Sequence, residues 1–318
     1  MNYRHFHIIL LLCCSCNFAN KPKIFYLNSY HLGYGSSDQI MQGIVETLDT
    51  SNIDLRIFFL DAKRLDNEQL NTRSDLAWNE ILKHDPDIII SSDDNAMESV
   101  IVPHLKEILV PVLYCGLNWS ADKYNLPTDK ASGMLEILPV ERCIETIRRS
   151  GYSAKSVTVI SEKSIGEIKN KTALIPIFES QNLSVNYEMV PDFDSWKAKF
   201  ALSQQDRNII FLPTNGAIQN WDHENAVYFV DQHAKVPVFT CDDFMLPYSC
   251  FGLAKIASEQ GEWTAQKALE ILNGKSIQEI PMTKNSRFEC LINQQLCEKI
   301  QFGITDSTNS CKVYEDIK

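Results

Sequence analysis

Paired acidic residues stand directly after apolar runs at two places in the chain. Asp93 and Asp94 follow "PDIIISS", and Asp242 and Asp243 follow "VPVFTC". Two carboxylates that face one another can act as general acid and base, and carboxylates also bind amines and hydroxyls. Asp is equally common as the N-cap of a helix, so each of these residues also has a structural explanation. Only their position relative to other polar residues distinguishes the two interpretations.

Polar or aromatic side chains stand at the ends of the other apolar runs as well. These are Ser29, Tyr30, His31 and Tyr34 in the first loop, Asn118 and Trp119 after "VPVLYCGL", Ser161 at the end of "SVTVIS", Thr214 and Asn215 after "NIIFLP", and Phe244 after the second acidic pair. Oriented polar groups beside aromatic rings are typical of small-molecule sites. Taken singly, His31 is also a common loop residue and Trp119 a common packing residue. We predict that this set and the acidic pairs form one ligand site.

The apolar runs alternate with longer amphipathic segments. Ser36 or Ser37 can cap a helix whose apolar side chains recur at helical spacing from Ile40 to Leu48. Near-continuous apolar strands that alternate with helices predict parallel sheets covered on both faces, which bind ligands beyond the carboxyl ends of their strands. Because the alternation restarts after Pro139, we predict an α/β protein of two Rossmann-like lobes.

The predicted lobes divide the chain as follows. The N-terminal lobe covers 23–120 and receives a returning C-terminal segment, the C-terminal lobe covers 121–285, and a crossover segment and tail cover 286–318. A chain of 318 residues is long enough for two domains with separate cores. Its formal charge is −11 and its basic residues are scattered, which argues against a nucleic-acid partner.

Sequence motifs for catalysis are missing. The sequence contains no G-x-S-x-G elbow, P-loop, dinucleotide fingerprint or H-E-x-x-H. Cys115 and Cys241 are candidate nucleophiles, but the sequence pairs neither with a base. We therefore predict a binding protein that needs no cofactor or metal, with a cleft hydrolase as an alternative.

The N-terminal segment "MNYRHFHIILLLCCSC" resembles an export signal. Its apolar run is too short to span a bilayer, which needs about 20 residues, and fits the h-region of a signal peptide at 1–15. The small residue before Cys16 resembles a bacterial lipobox, which implies that Cys16 is lipidated and that 16–22 is a linker. A plain signal peptide cleaved nearby is the alternative.

Seven of the ten cysteines lie outside this segment. Their spacing matches no zinc site or disulfide framework. In an oxidising compartment, Cys241 could form a disulfide with Cys250, or Cys290 with Cys297.

Several longer motifs are similar to those of a known family. The stretches "LNSYHLGYGSSDQIMQGI", "FFLDAKRLDNEQ", "PDIIISSDDNAMESVI" and "VPVLYCGLNW", with "VPVFTCDDFMLPYSCFGLAKIASEQGEWTAQKALEILNGKSIQEIP", resemble the ABC_sub_bind group of solute-binding proteins of bacterial ABC-type uptake systems. The resemblance implies a hinged fold like that of type I periplasmic binding proteins, an ABC permease as partner, and a place outside the cytoplasm. It also implies that Asp61, Lys63 and Arg64 form a structural or hinge-facing loop.

The excess of acidic candidates favours a ligand with an amine or many hydroxyls, amino acids first. Because relatives also serve as sensor domains, a ligand-sensing lipoprotein that feeds a two-component or cyclic-dinucleotide signalling partner is the alternative. In both cases the lipid on Cys16 would hold the protein at the periplasmic or extracellular face of the cell envelope.

Replacement of Cys16 by Ser is expected to release the protein from membranes, because each lipid CH₂ contributes about 0.8 kcal/mol of membrane affinity and the variant carries no acyl chain. Fractionation of cells into membrane and soluble parts measures this. Cys14→Ser is the matched control, since Cys14 is the competing acceptor. A Cys16→Ser protein that stays in the membrane fraction would show that the anchor is assigned wrongly.

Overall fold

The computed structural model describes residues 21–49, 51–303 and 311–314. The predicted signal peptide at 1–15, the lipidation site Cys16 and most of the linker at 16–22 lie outside the described residues. The described part forms two α/β lobes, each built on one sheet.

The strands fall into a first sheet of six and a second sheet of seven. They are β1 Lys23–Asn28, β2 Asp54–Phe59, β3 Ile88–Ser92, β4 Val112–Asn118, β5 Ala131–Glu136, β6 Ser156–Glu162, β7 Ser184–Val190, β8 Asn208–Phe211, β9 Val238–Thr240, β10 Phe251–Lys255, β11 Thr283–Lys284, β12 Phe288–Ile292 and β13 Lys312–Val313. The first sheet has the order β11-β5-β4-β3-β1-β2 and the second β13-β12-β10-β9-β8-β6-β7. All pairs are parallel except β10 with β12. The predicted fold class is confirmed.

Helices cover both sheets. They are α1 Gly35–Leu48, α2 Asn67–His84, α3 Asp93–Ala96, α4 Val102–His104, α5 Val140–Arg149, α6 Ile165–Ser180, α7 Phe193–Leu202, α8 His223–His233, α9 Ser258–Leu272 and α10 Gln294–Lys299. A π-helical turn, Met97–Ile101, joins α3 to α4. Within the described ranges, no helix is long and apolar enough to cross a bilayer.

Strand β1 explains why the central strands are apolar throughout. Phe25 and Leu27 pack on one face of the first sheet with residues of α2, whereas Ile24 and Tyr26 pack on the other face with α1 and α9. All four are completely buried. A strand covered on both faces has no solvent side, so apolar residues occupy every position.

The sheets divide the chain differently from the predicted boundaries at 120 and 285. Strand β5 pairs with β4 in the first sheet, and β11 returns from late in the chain to pair with β5. Helix α9 packs on α1 of the same lobe. The second sheet in turn takes β12 and β13 from the segment predicted as crossover and tail. Strand pairing, which sequence rhythm does not reveal, decides this division.

The chain therefore crosses between the lobes at three places: 137–139, 256–257 and 285–287. These segments are hydrogen-bonded to one another. The Ile137 N–H donates to Asn285 Oδ1 at 2.7 Å, and the Ile256 N–H donates to the Arg287 carbonyl at 3.1 Å. The crossings thus form one connected joint.

Helix α1 begins without the predicted serine cap. It starts at Gly35, and its N-cap residue Tyr34 makes no capping side-chain bond. Ser37 instead donates to Asn28 Oδ1 at 2.6 Å, and the Gly33 N–H donates to Asp38 Oδ2 at 2.8 Å. These contacts close the loop. The Tyr34 side chain takes no part in capping and extends between the lobes.

The disulfide joins Cys290 to Cys311, so both bridges considered from the sequence are wrong. Cys290 lies in β12 and Cys311 directly precedes β13, and the pairing of these strands brings the two Cα atoms to 4.5 Å. Cys241, Cys250 and Cys297 are buried free thiols.

Glycines allow α1 and α9 to touch. A Cβ at Gly261 of α9 would lie 2.0 Å from the Ile40 carbonyl oxygen, and one at Gly43 of α1 would lie 2.4 Å from the Ser258 carbonyl oxygen. Both obstacles are backbone atoms, so a side chain at either position would push the helices apart. This contact anchors a late helix to the first lobe.

Gly261→Ala is therefore expected to destabilise the protein by about 1–3 kcal/mol, the usual cost of overpacking, and to lower Tm by several degrees. Thermal unfolding followed by circular dichroism measures the loss. Gly303→Ala is the matched control, because a Cβ there meets no atom of the described residues within 4 Å. Equal Tm values for the two variants would disprove the close helix contact.

Candidate functional site

A small polar cavity lies between the lobes, where the carboxyl ends of strands from both sheets meet. Its volume is about 30 Å³, which is room for about two water molecules. It is lined by Tyr30, Tyr34, Ser36, Lys63, Asp93, Asn118, Glu136, Leu138, Glu162, Ser164, Gly166, Glu167, Asn170, Thr214, Asp242 and Lys255. Five carboxylates and two lysines among these residues make it strongly ionic.

Lys63 forms an ion pair across the cavity. Its Nζ lies 2.6 Å from Glu162 Oε1 of the other lobe and donates to the Tyr34 hydroxyl at 2.6 Å. Burial alone lowers the pKa of the Lys63 ammonium, but Glu162 and Tyr34 outweigh burial and raise that pKa above its ordinary value. Lys63 is therefore a fixed positive charge inside the protein.

Lys255 forms a second ionic cluster at the end of β10. Its Nζ lies 2.5 Å from Glu136 Oε1 of the first lobe and 3.0 Å from Asp242 Oδ1. Gln260 donates to the other Glu136 oxygen at 2.8 Å. Burial and the neighbouring Glu136 raise the pKa of Asp242, against the opposing effect of Lys255, to about 6.

Two further carboxyl groups of the cavity bind protons more tightly than usual. Burial, with Asp94 and Glu136, raises the pKa of Asp93 to about 7. Burial, with Glu162, raises the pKa of Glu167 to about 7. A cation placed beside either group favours its ionised form, so the cavity is electrostatically suited to a positive charge.

Asp93 has an unusual backbone conformation. Its φ is 71°, in the left-handed region that non-glycine residues rarely adopt, and such positions are concentrated in functional sites. Gly116 lies against it: a Cβ on Gly116 would be 3.3 Å from the Asp93 nitrogen. The close approach of β4 thus requires a glycine beside this turn.

A second contact between the lobes lies beside the cavity. Lys169 of α6 is 2.6 Å from Asp94 Oδ1, and Tyr124 donates to the same oxygen at 2.8 Å. The Trp119 indole donates to Asn170 Oδ1 at 2.7 Å. The lobes are therefore joined by oriented polar contacts as well as by the joint.

Six of the residues predicted as ligand-binding line the cavity: Tyr30, Tyr34, Asp93, Asn118, Thr214 and Asp242. They come from both lobes and from ends of different strands. The convergence expected from the strand ends is thus present in the structure for this group.

The other eight predicted residues do not line the cavity: Ser29, His31, Asp94, Trp119, Ser161, Asn215, Asp243 and Phe244. Ser29 and Ser161 are completely buried and donate to backbone carbonyls, and His31 contacts the Leu32 carbonyl. The Asn215 carbonyl accepts a hydrogen bond from the Ile218 N–H and so closes a turn. All four roles are structural: His31, Ser161 and Asn215 make local contacts, whereas Ser29 links the end of β1 to the end of β3.

The remaining four hold the lobes together. Asp94 pairs with Lys169 and Trp119 donates to Asn170, as described above. Gln39 of α1 donates to Asp243 at 2.7 Å, and the Phe244 ring lies 5.8 Å from the Tyr34 ring. They stand at the seam between the lobes, outside the cavity.

The sequence prediction missed most of the charged lining. The family resemblance places Lys63 in a structural or hinge-facing loop, and the sequence predicts no role for Lys255, Glu136 or Glu167. Lys255 and Glu136 end strands β10 and β5, so the strand-end rule that found Asp93 also applied to them. Nothing local in the sequence points to Glu167, which lies within a helix.

The candidate nucleophiles are poorly suited to catalysis. Burial raises the pKa of the Cys115 thiol to about 12 and that of Cys241 well above its ordinary value. The thiolate is the nucleophile, so both are inert near neutral pH. Across residues 21–49, 51–303 and 311–314, no group of three His, Cys, Asp or Glu side chains is placed to hold a metal ion.

Two parallel α/β lobes, joined by three crossings around a polar cavity, have the architecture of type I periplasmic binding proteins. Residues 31–311 match the family described as ABC transporter substrate binding protein. The chain belongs to this family, which comprises extracytoplasmic binding proteins rather than a class of enzymes.

Several proteins of known sequence or structure are similar to the chain. A tyrosine-binding protein from Clostridioides difficile strain R20291 is 22% identical over 213 residues, which cover 65% of this chain and 59% of that protein. The ABC domain from Streptococcus pneumonia, solved in complex with L-Trp, is 15% identical with a TM-score of 0.73 and covers 92% of this chain and 100% of that one. A substrate-binding protein with adhesive properties from Clostridium difficile, solved in a ligand-free, open structure, is 13% identical with a TM-score of 0.69. Its alignment covers 92% of this chain and 99% of that chain.

Gly216→Ala is expected to oppose closure of the cavity. A Cβ at Gly216 of the second lobe would lie 2.5 Å from Tyr34 Cε2 and 3.3 Å from Lys63 Cδ, so the closed arrangement should lose about 1–3 kcal/mol. Small-angle X-ray scattering would record this as a larger radius of gyration. Gly303→Ala is the control, because its Cβ would meet no atom within 4 Å in the part of the chain that the structure describes. Identical scattering from both variants would refute the proposed approach of the lobes.

Proposed function

We propose that the protein captures a small amine-bearing metabolite, with amino acids favoured, in the cavity between its lobes and delivers it to an ABC permease. The observation that carries the proposal is the composition of the cavity, where five carboxylates and two lysines surround two tyrosine rings. The ligand-binding residues of this proposal are Tyr30, Tyr34, Asp93, Asn118, Thr214 and Asp242, together with the charged lining.

The charge balance supports a ligand that carries an ammonium group. Lys63 and Lys255 together pair with Glu162, Glu136 and Asp242. Asp93 and Glu167 are left with no lysine within ion-pairing distance of 4.0 Å among the described residues. An ammonium group supplies the missing positive charge, whereas a purely anionic ligand adds to the repulsion.

The aromatic lining supports an organic ligand. The Tyr30 and Tyr34 rings lie 4.7 Å apart between centroids, and both belong to the loop after β1. The faces of aromatic rings attract cations. They also attract other aromatic rings, and such a pair contributes about 0.5–1.5 kcal/mol of binding free energy. The similar proteins named for tyrosine and solved with L-Trp are in line with an amino acid as ligand.

The size of the cavity implies that the lobes separate to admit a ligand. About 30 Å³ is too small for an amino acid. In two-lobed proteins, rotation about the connecting segments opens such a cavity, and the ligand favours closure through its contacts with both lobes. The three crossings provide the axis for this rotation.

The lipid anchor belongs to the same proposal. A diacyl or triacyl group on Cys16 would keep the protein close to its permease at the outer face of a membrane. The predicted linker at 16–22 would connect the anchor to β1.

Titration of the mature protein with amino acids, tyrosine and tryptophan among them, is expected to raise Tm. A ligand at 100 times its Kd stabilises a protein by about 2.7 kcal/mol, a shift of several degrees. The affinity should be higher at about pH 8 than at about pH 6, because Asp93 and Glu167, each with a pKa of about 7, change from mostly protonated to mostly ionised.

The deaminated analogue of each ligand is the matched control, since it differs only in the ammonium group. Calorimetry at both pH values measures the affinities. The proposal is wrong if no amine-bearing metabolite shifts Tm, or if the deaminated analogues bind as well as their parent amines.

A further inference from the structure

The ammonium group of Lys63 is enclosed in a cage made by Tyr30, Tyr34 and Glu162. Its Nζ lies 4.7 Å from the Tyr30 ring centroid and 4.4 Å from that of Tyr34. The same atom contacts Glu162 Oε1 and the Tyr34 hydroxyl, each at 2.6 Å. The Lys63 side chain is only 5% exposed and that of Glu162 is fully buried.

This cage has the features of a binding site for an organic cation. Two aromatic faces attract the positive charge, a carboxylate neutralises it, and oxygen atoms accept its hydrogen bonds. Glu162 is itself held in place, because its other oxygen accepts the Ala217 N–H at 2.7 Å. A cage built to this degree around one flexible side chain is more than a surface ion pair requires.

We propose that the Tyr30–Tyr34–Glu162 cage is the subsite for the ammonium group of the ligand, and that Lys63 occupies it as an internal substitute which the ligand displaces. The inference rests on the function proposed above and identifies its ligand chemistry. Lys63 belongs to the first lobe and Glu162 to the second, so the ligand ammonium takes over a link that Lys63 otherwise makes between them.

The geometry selects the type of ammonium group. Lys63 donates to the Tyr34 hydroxyl, and its Nζ lies 2.6 Å from Glu162 Oε1 as an ion pair. A replacement must therefore carry an N–H donor for Tyr34 and bring its positive charge close to Glu162, which a primary ammonium can do and a quaternary ammonium, with its four carbon substituents, cannot. The cage thus favours a free amino group over a fully methylated one.

Lys63 has other partners available after displacement. Its charge already acts on Asp93 and Glu167, since it lowers the pKa of both carboxyl groups against the effect of burial. Its four-carbon stem is flexible, and Asp61 in the same loop has a φ of 60°. The displaced ammonium can turn toward these acids or toward a carboxylate of the ligand, so the exchange need not leave a buried charge unpaired.

The experiment removes the internal substitute and supplies a free one. Lys63→Ala empties the cage of its ammonium, and n-propylammonium serves as the probe, with tetramethylammonium as the control ion. We expect the variant to bind n-propylammonium at least about tenfold more tightly than the wild type does, because an internal competitor that fills the site most of the time lowers apparent affinity by the competent fraction. Calorimetry and Tm shifts measure the binding.

A double variant, Lys63→Ala with Glu162→Gln, is the matched control and should lose this affinity, because the carboxylate of the cage is gone. If the alanine variant does not fold, Lys63→Met replaces it, since its side chain keeps the buried stem packed but brings neither a charge nor an N–H donor into the cage. The inference is overturned if the variant binds n-propylammonium no more tightly than the wild type, or if tetramethylammonium binds equally well.

These results are independent of the amino-acid titrations. Wild-type protein that binds amino acids, together with a Lys63→Ala variant that gains no alkylammonium affinity, would overturn the cage and leave the proposed function standing. Alkylammonium binding by the variant, with no amino-acid binding by the wild type, would support the cage and remove amino acids as the ligand.

Discussion

The ion pair between Lys63 and Glu162 is the interaction on which the rest of the site depends. A charge taken out of water is costly unless it is paired and hydrogen-bonded, and here each partner comes from a different lobe. The lobes must therefore meet with their strand ends facing one another for either charge to be tolerated. The same requirement explains the hydrogen bonds around the pair. The Tyr34 hydroxyl accepts a hydrogen bond from Lys63, and the Ala217 N–H donates to Glu162 Oε2, so that neither group is left without a partner.

Under the proposed function, ligand binding in this cavity would exchange one ionic partner for another. The lobes are linked by Lys63 with Glu162, by Lys169 with Asp94, and by Lys255 with Glu136. Opening exposes these groups to water, which repays much of the lost attraction, so closed and open arrangements need differ little in free energy. A ligand that replaces one internal cation and adds contacts of its own can then shift the balance. The hydrogen-bonded crossings keep the lobes in register during this exchange.

Strand ends were a reliable guide to part of the site. Tyr30, Asp93 and Asn118 stand at the carboxyl ends of β1, β3 and β4, which are neighbours in the first sheet. Residues in that position converge at one edge of a sheet whatever the details of packing. The same rule wrongly included Ser29 and Ser161, because both side chains are buried and donate to backbone carbonyls. It was also incomplete, since it says nothing of Glu167, which reaches the cavity from a helix of the second lobe. The exact lobe boundaries could not be read either, because β5 joins the first sheet and β12 the second only through strand pairing.

The order of apolar runs was enough to establish two parallel α/β lobes, because a strand buried on both faces is apolar at every position and a crossover helix has its own period. The short segments at strand ends likewise sufficed to place a polar site there. The partners of Lys63 and Lys255, and the bridge between Cys290 and Cys311, emerged only from the folded chain. Each of these contacts joins residues that are distant in sequence, and only the pairing of strands and the meeting of the lobes brings them within bonding distance.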